Sequence, residues 1–212
     1  MKHVLLPTLE RMGLHTSLMV KRFGYYPKGM GEAILDVIPV STFKSISMKD
    51  FGEIREIEGV SVCTFLEKQR VAERQAQEAN ENLSKYGYTS KIRIVNDQSN
   101  SFQKGSSLAL WAKTTTGAIL GGDAIGEVRK TSEAVDKEAA ENLLKETETK
   151  ATVDVHLADM LVPYVALANG SSIYLTREIT DHIDTNIWLT EKILDTKFQI
   201  SKVGNLYRIE KS

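Results

Sequence analysis

The chain has 212 residues, and its 27 lysines and arginines nearly balance its 28 aspartates and glutamates. This balance excludes a general electrostatic affinity for duplex nucleic acid. It does not exclude binding to the end of a strand, because such binding needs only a few basic side chains. The composition, 42% hydrophobic and 26% charged, is that of a folded globular protein, and the length allows one domain or two small ones.

Targeting and cysteine signals are weak in this sequence. The longest apolar run, LVPYVALA at 161–168, is too short to cross a bilayer, and the first residues, MKHVLLPTLERMG, lack the apolar core and cleavage site of a signal peptide. We therefore expect a cytoplasmic location and no membrane partner. The single cysteine, Cys63, lies in the apolar stretch VSVCTF, and we expect it to be a small buried hydrophobe.

The first fifty residues predict a helix and a β-hairpin. Residues 3–12 are typical of the end of a helix, and the alternating segments HTSLMVKRF and GEAILDVIPV predict two strands. Between them GYYPKGMG, residues 24–31, favours a hairpin turn over a phosphate-binding loop, because such loops join a strand to a helix. One helix and two strands make a poor core, so this part needs partners from elsewhere in the chain.

The central part, about residues 55–150, predicts a self-contained α/β unit. A strand around Val60, a helix from Gln69 to Tyr86, three further strands and a helix from Ser132 to about Thr147 give the order β-α-β-β-β-α, which is typical of one sheet with helices packed on it. The first helix has apolar residues at spacings that predict one buried face, made of Ala72, Ala76, Ala79, Leu83 and Tyr86.

From Ala151 the pattern predicts a helix, a short strand, a second helix and a terminal hairpin. Asp154 suits the N-cap of the first helix, DVHLADMLVPYVALANG, which Gly170 ends. The second helix is predicted from about Asp184, and Asp184 or Thr185 could cap its first turn. Since residues 151–212 carry helices that residues 1–54 lack, we predict that these two segments form one domain and that 55–150 is inserted in it.

His182 stands at or just before the start of that second helix, between Asp181 and Asp184. Unpaired backbone N–H groups and the helix dipole favour an anion such as phosphate there, and they favour a neutral imidazole with a ring nitrogen free to attack phosphorus. Either aspartate could orient the ring. On these residues alone, however, a capping or surface role is the commoner outcome.

His156 and Asp159 form a second candidate pair, because residues three apart face the same side of a helix. A metal site is one interpretation. Two ligands are too few to hold an ion, so a solvated helix face is favoured on these residues alone.

Three stretches in this order resemble the RNA 3'-terminal phosphate cyclases: LERMGLHTSLMVKRFGYYPKGMGEA, DVHLADMLVPYVALANGSS and HIDTNIWLTEKIL. An insert of the family's size, including GEVRKTSEAVDKEAAENLL, lies between the first and the second. The resemblance implies an α/β (α+β) fold of repeated four-stranded sheets, each with two helices, interrupted by a small thioredoxin-like insert.

The resemblance also implies a reaction and its residues. His182, directly before TNI, would be adenylylated by ATP, and an RNA 3'-terminal phosphate would then become a 2',3'-cyclic phosphate, with Mg²⁺ or Mn²⁺ offsetting the phosphate charge. The implied partners are ATP and the 3' end of an RNA, and pairing into a homodimer stays open. The implied ATP-binding residues are His156, Leu157, Ala158, Asp159 and Met160.

Two departures from the family pattern matter. Gly29, Met30 and Gly31 stand where the family has three glycines, which makes a close approach of the backbone there less certain. Family members also begin upstream of this Met1, so we expect the carboxy-terminal part of a cyclase, weak or inactive alone. The alternatives are a non-catalytic relative in ribosome assembly, which would lack the nucleophilic histidine, and a binding module without chemistry.

Overall fold

The structure, a computed structural model, describes residues 1–126 and 132–212, with the side chains of residues 132–136 left aside. Its helices are α1 (Leu5–Arg11), α2 (Val71–Ser84), α3 (Ser132–Glu148), α4 (Val155–Leu167) and α5 (Asp181–Ile193). Its strands are β1 (Thr16–Arg22), β2 (Glu32–Val37), β3 (Phe43–Lys44), β4 (Ile54–Thr64), β5 (Ser90–Asp97), β6 (Gly105–Thr114), β7 (Ile119–Ile125), β8 (Ala168–Asn169), β9 (Ser172–Thr176), β10 (Phe198–Val203) and β11 (Leu206–Lys211). The expected α/β (α+β) class is confirmed.

The strands β1 and β2 form the predicted antiparallel hairpin, with Leu18 opposite Leu35. The predicted turn at residues 24–31 is also confirmed, because Tyr25 bridges back to Gly29. Met30 follows with φ +60°, a left-handed conformation that costs a residue with a side chain about 1–2 kcal/mol. The turn rests against the central part of the chain, where Asn100 donates a hydrogen bond to the Phe23 carbonyl at 2.7 Å.

The central sheet has the strand order β5-β4-β6-β7, in which β4 and β5 are parallel and the other pairs are antiparallel. The helices α2 and α3 pack on one of its faces. The predicted stripe of α2 is buried at Ala72, Ala76, Ala79 and Leu83. Its fifth member was predicted wrongly: α2 ends at Ser84, and the turn through Gly87 (φ +81°) leaves Tyr86 57% exposed.

Glycine at position 122 allows α3 to lie directly on β7. A Cβ atom there would stand 2.4 Å from the backbone nitrogen of Leu143 and 2.8 Å from the carbonyl oxygen of Ala139. Both distances are far inside van der Waals contact, and backbone atoms of a helix do not yield easily. The close packing of this helix on the sheet therefore depends on the missing side chain.

The two ends of the chain share a second core. In it β3 pairs in parallel with β8, and β10, β11 and β9 form a three-stranded antiparallel sheet. The hydroxyl of the fully buried Tyr174 donates to the Ala158 carbonyl at 3.0 Å, which fixes α4 on this sheet. The fully buried members of this core include Leu9, Met12, Leu157, Leu161, Tyr174, Ile183 and Ile209. The domain boundaries at 55 and 150 stay a prediction.

Two helix ends differ from the sequence prediction. The helix α4 ends at Leu167, before Asn169 and Gly170, because Ala168 and Asn169 pair with β3 as a short strand. The helix α5 begins at Asp181, so the prediction of a start and cap at Asp184 or Thr185 was wrong. The terminal hairpin of β10 and β11 is confirmed.

Candidate functional site

His182 is the second residue of α5 and its side chain is exposed. The cap of this helix is Thr180, whose hydroxyl oxygen accepts a hydrogen bond from the Ile183 N–H at 3.2 Å. Ile183 is fully buried and packs into the core shared by the two chain ends. The first turn is thus held by a hydroxyl cap and an aliphatic anchor, which leave the imidazole of His182 facing outward.

The aspartates beside His182 do not hold its ring here. Asp181 and Asp184 are both exposed in the first turn of α5, where their charges favour the positive end of the helix dipole. Among the hydrogen bonds of residues 1–126 and 132–212, none joins either carboxylate to the imidazole. Orientation of the ring by one of them stays a prediction.

The five residues expected to bind ATP lie in the first two turns of α4 and face different ways. His156 is exposed and Asp159 and Met160 are half-buried, whereas Leu157 and Ala158 are buried in the core. Only three of the five side chains can therefore reach a ligand. The other two hold the helix on the sheet beneath it.

The amino terminus of α4 is fixed by the predicted cap, Asp154. Its carboxylate is 3% exposed and accepts two backbone N–H groups, from Leu157 at 2.7 Å and from Gly121 at 2.8 Å. Burial raises the pKa of Asp154 above its usual value, although these hydrogen bonds oppose the shift. Because Gly121 belongs to β7, the Asp154 side chain joins α4 to the central sheet.

A hydrogen bond between Asn186 and Asp159 brings the two predicted segments together. The amide of Asn186 on α5 donates to the carboxylate of Asp159 on α4. Asn186 is four residues after His182, and residues at this spacing lie on one side of a helix. The side of α5 that carries His182 therefore faces the ligand-accessible side of α4.

Sequence reasoning missed two residues of this arrangement. Thr180 was overlooked because the aspartates that follow it are equally good caps by residue type. Asn186 could have been found from its spacing of four from His182, which is the one local signal it carries.

A nearly buried ion pair lies close to the start of α4. The Nε atom of Arg177 is 2.9 Å from an oxygen of Glu146, and the side chains are 15% and 6% exposed. Desolvation raises the pKa of Glu146, and Arg177 acts against this rise. The second carboxylate oxygen of Glu146 is buried without a protein partner. No sequence pattern had indicated this pair.

The described residues do not assemble a metal site of their own. Within 1–126 and 132–212, no three histidine, cysteine or carboxylate side chains lie close enough together to hold an ion. The carboxylate of Asp159 accepts a hydrogen bond from the Asn186 amide. The described residues therefore offer no ready-made cluster of protein ligands, and binding of Mg²⁺ or Mn²⁺ stays a prediction.

Cys63 is fully buried, as predicted, and burial raises the pKa of its thiol. Within residues 1–126 and 132–212, every helix is too short or too polar to cross a bilayer.

Comparison with known proteins shows the family to which the chain belongs. The family of RNA 3'-terminal phosphate cyclases matches residues 1–200. The RNA 3'-terminal phosphate cyclase of Pyrobaculum aerophilum is 40% identical over 210 residues, which cover 99% of this chain and 60% of that protein. The cyclases of Thermococcus onnurineus and Methanosarcina barkeri are 39% and 38% identical, with 99% and 100% of this chain covered and 60% of each relative.

The chain therefore belongs to the RNA 3'-terminal phosphate cyclase family. It spans about 60% of the length of these relatives.

Proposed function

We propose that this chain carries the nucleophile of an ATP-dependent RNA 3'-phosphate cyclase, and that His182 is the nucleophile. The observation that carries the proposal is the exposed imidazole on the first turn of α5, on the side that Asn186 ties to Asp159. The helix start supplies N–H groups and a positive potential for phosphate oxygens. The relatives' name, RNA 3'-terminal phosphate cyclase, supports the choice of reaction.

Activation must precede cyclisation because a terminal phosphate monoester is a poor electrophile with no good leaving group. His182 uses a ring nitrogen to form a bond to the α-phosphorus of ATP. The bond from that phosphorus to the bridging oxygen breaks, pyrophosphate leaves, and the ring proton passes to solvent. The negative charge on the α-phosphate oxygens lies at the positive end of α5 during this step.

His182 then gives up the AMP group. An oxygen of the RNA 3'-phosphate bonds to the same phosphorus, the N–P bond breaks, and the ring takes back a proton from solvent, which restores the neutral imidazole. The neighbouring 2'-hydroxyl attacks the 3'-phosphorus, loses its proton and expels AMP, which closes the 2',3'-cyclic phosphate. This last step is intramolecular, so proximity favours it.

The residues around His182 have separate roles in this proposal. His156, Asp159 and Met160 present side chains to the nucleotide, and Leu157 and Ala158 hold α4 in place from the core. Asn186 sets the rotation of α5 against α4 and is a positioning residue. A bound Mg²⁺ or Mn²⁺ would offset the charge of the phosphate groups.

The test is covalent labelling. The chain is incubated with ATP labelled at the α-phosphate and with Mg²⁺ or Mn²⁺, alone and with the part of the Pyrobaculum aerophilum relative that it does not span, supplied as a separate polypeptide. We expect acid-labile label on this chain, stronger with the added polypeptide. His182→Asn should remove the label, and the matched variant His15→Asn, at an exposed histidine before β1, should keep it.

Label that survives in His182→Asn would overturn the assignment of the nucleophile. Absence of label in the reconstituted protein would overturn the enzymatic function and favour a cyclase-like scaffold.

A further inference from the structure

The central sheet has a second face, opposite α2 and α3, that no helix covers in the described residues. Side chains alternate between the two faces of a strand, so the buried positions Ile57, Leu108 and Leu110 mark the helix side. The intervening positions form three cross-strand rows on the open side. The rows are Lys91, Glu58, Trp111 and Gly121; Arg93, Val60, Ala109 and Asp123; and Val95, Val62, Ser107 and Ile125.

The β1–β2 hairpin and the first residues of the chain stand across from this face and enclose a cleft of about 870 Å³. A second cavity of about 620 Å³ lies beside it. His3, Arg93 and Trp111 line both cavities, so the two adjoin at these residues. The volumes are in the range of ligand sites, about 300–1,000 Å³.

An aromatic platform lies where the cavities meet. The ring of His3 is parallel to the indole of Trp111, with an interplanar angle of 2° and centroids 3.9 Å apart. The indole N–H donates to Glu58 at 3.0 Å, which fixes the plane of the stack. Burial, followed by the charges of Lys2 and Arg93, lowers the pKa of His3, which favours the uncharged form of the ring. Trp111 is only 6% exposed, so the outer face of the His3 ring is the aromatic surface on which a nucleic-acid base can stack.

The charge of the lining suits the phosphate backbone. Lys2, Lys91 and Arg93 face the cavities, and Lys113 forms ion pairs with both Glu58 and Glu56. Asp123 is the one other carboxylate among the described lining residues, so the balance is positive. Single strands are bound by cations that follow the backbone and aromatic rings that stack bases, and RNA is also read on the open face of four-stranded sheets.

We propose that this cleft binds the single-stranded RNA that precedes the reacting 3' end, with a base on the His3–Trp111 platform and phosphates on Lys91 and Arg93. The inference rests on the proposed function for the identity of the strand. Binding itself needs neither ATP nor His182, so it can be tested separately.

The experiment uses tryptophan fluorescence. The chain has two tryptophans, and Trp188→Phe leaves Trp111 as the only one. A single-stranded RNA oligonucleotide with a 3'-hydroxyl, which cannot be cyclised, is titrated into this variant without ATP, and binding is measured in parallel by fluorescence polarisation of labelled RNA. We expect quenching of Trp111 over the same concentrations that raise the polarisation.

Charge-removing variants test the contacts. Lys91→Ala with Arg93→Ala should weaken binding by about tenfold or more and lower the salt slope of log K by about 1.4, because each phosphate contact to a single strand contributes about 0.7. The matched control removes two exposed lysines on the helix side, Lys85→Ala with Lys137→Ala, and should change neither quantity. His3→Ala should weaken binding by about 5-fold to 150-fold, the effect of losing one stacked base.

Three results would overturn the proposal. The polarisation could rise without quenching of Trp111, or the Lys85→Ala, Lys137→Ala control could lose as much affinity as the Lys91→Ala, Arg93→Ala variant. RNA binding could also be lost when the added part of the relative is present. The last result would make the cleft a protein interface. RNA binding together with failed adenylylation would refute only the proposed reaction.

Discussion

The amide of Asn186 and the carboxylate of Asp159 are hydrogen-bonded across the interface between α5 and α4. Both groups are half-buried, so water competes with this bond less than it would at the surface. The bond lies one helical turn beyond His182. It therefore restricts the rotation of α5 and with it the direction of the imidazole.

Replacing Asn186 with alanine should slow adenylylation without unfolding the protein. Because small errors in the placement of a reacting group are costly, we expect the rate of label incorporation to fall by about 10-fold to 100-fold. The rate is measured in the reconstituted protein, and circular dichroism checks the fold. Lys192→Ala, an exposed change on the same helix, is the control and should leave the rate unchanged. An unchanged rate in Asn186→Ala would show that the bond does not position His182.

Arg177→Ala should destabilise the protein strongly at neutral pH. It leaves the Glu146 carboxylate buried without its partner, which costs about 3–5 kcal/mol. The pKa of Glu146 is raised in the folded protein. Its contribution to the free energy of unfolding is therefore fully present below pH 4.5, the pKa of the unfolded chain, and is lost as pH rises through the folded pKa. The loss caused by Arg177→Ala should therefore be smaller at pH 4 than at pH 7 in urea unfolding.

The double variant Glu146→Gln with Arg177→Ala separates charge from packing. It should recover part of the stability lost in Arg177→Ala at pH 7, because a neutral amide is cheaper to bury than a lone carboxylate. If the double variant is no more stable than the single one, the cost lies in the packing of Arg177.

Asp154→Asn should destabilise the protein by about 1–3 kcal/mol, because an amide can accept only one of the two N–H groups and leaves the other unsatisfied. The pKa of the Asp154 carboxyl is raised in the folded protein. Its contribution to the free energy of unfolding is therefore fully present below pH 3.8, the pKa of the unfolded chain, and declines as pH rises through the folded pKa. The asparagine variant lacks this titration. The difference in free energy of unfolding between the wild type and Asp154→Asn should thus become smaller as pH rises from about 4. The exposed control Asp195→Asn should leave the free energy of unfolding unchanged.

Met30→Gly should stabilise the protein by up to about 1.6 kcal/mol. Relief of the left-handed conformation is worth about 1–2 kcal/mol, and the added freedom of glycine in the unfolded chain costs about 0.4–1 kcal/mol. Gly29→Ala is the reciprocal test: a Cβ there meets no atom within 4 Å, so its destabilisation should come from the positive φ alone. A lower thermal midpoint for Met30→Gly would indicate that the methionine side chain contributes packing instead.

The features predicted from sequence are those set by neighbours along the chain. The buried stripe of α2 follows from residues three and four apart, and the Asp154 cap follows from a residue three positions before the N–H that it accepts. The start of α5 was missed because several adjacent residues could cap equally well, and the choice of Thr180 is made by the burial of Ile183.

The features that could not be predicted join distant parts of the chain. Asn186 and Asp159 are 27 residues apart and Arg177 and Glu146 are 31 apart, so no periodicity relates them. Trp188 on α5 is an apolar residue that is 60% exposed, because the sequence shows which residues are apolar and not what covers them.

The burial of the Cys63 thiol has a practical consequence for fluorescence measurements. Since this thiol is the only one in the sequence and is fully buried, a cysteine introduced on the protein surface would be the principal target of maleimide dyes. Fluorophores attached one at a time to α5 and to β5 would then act as site-specific reporters without removal of the native cysteine.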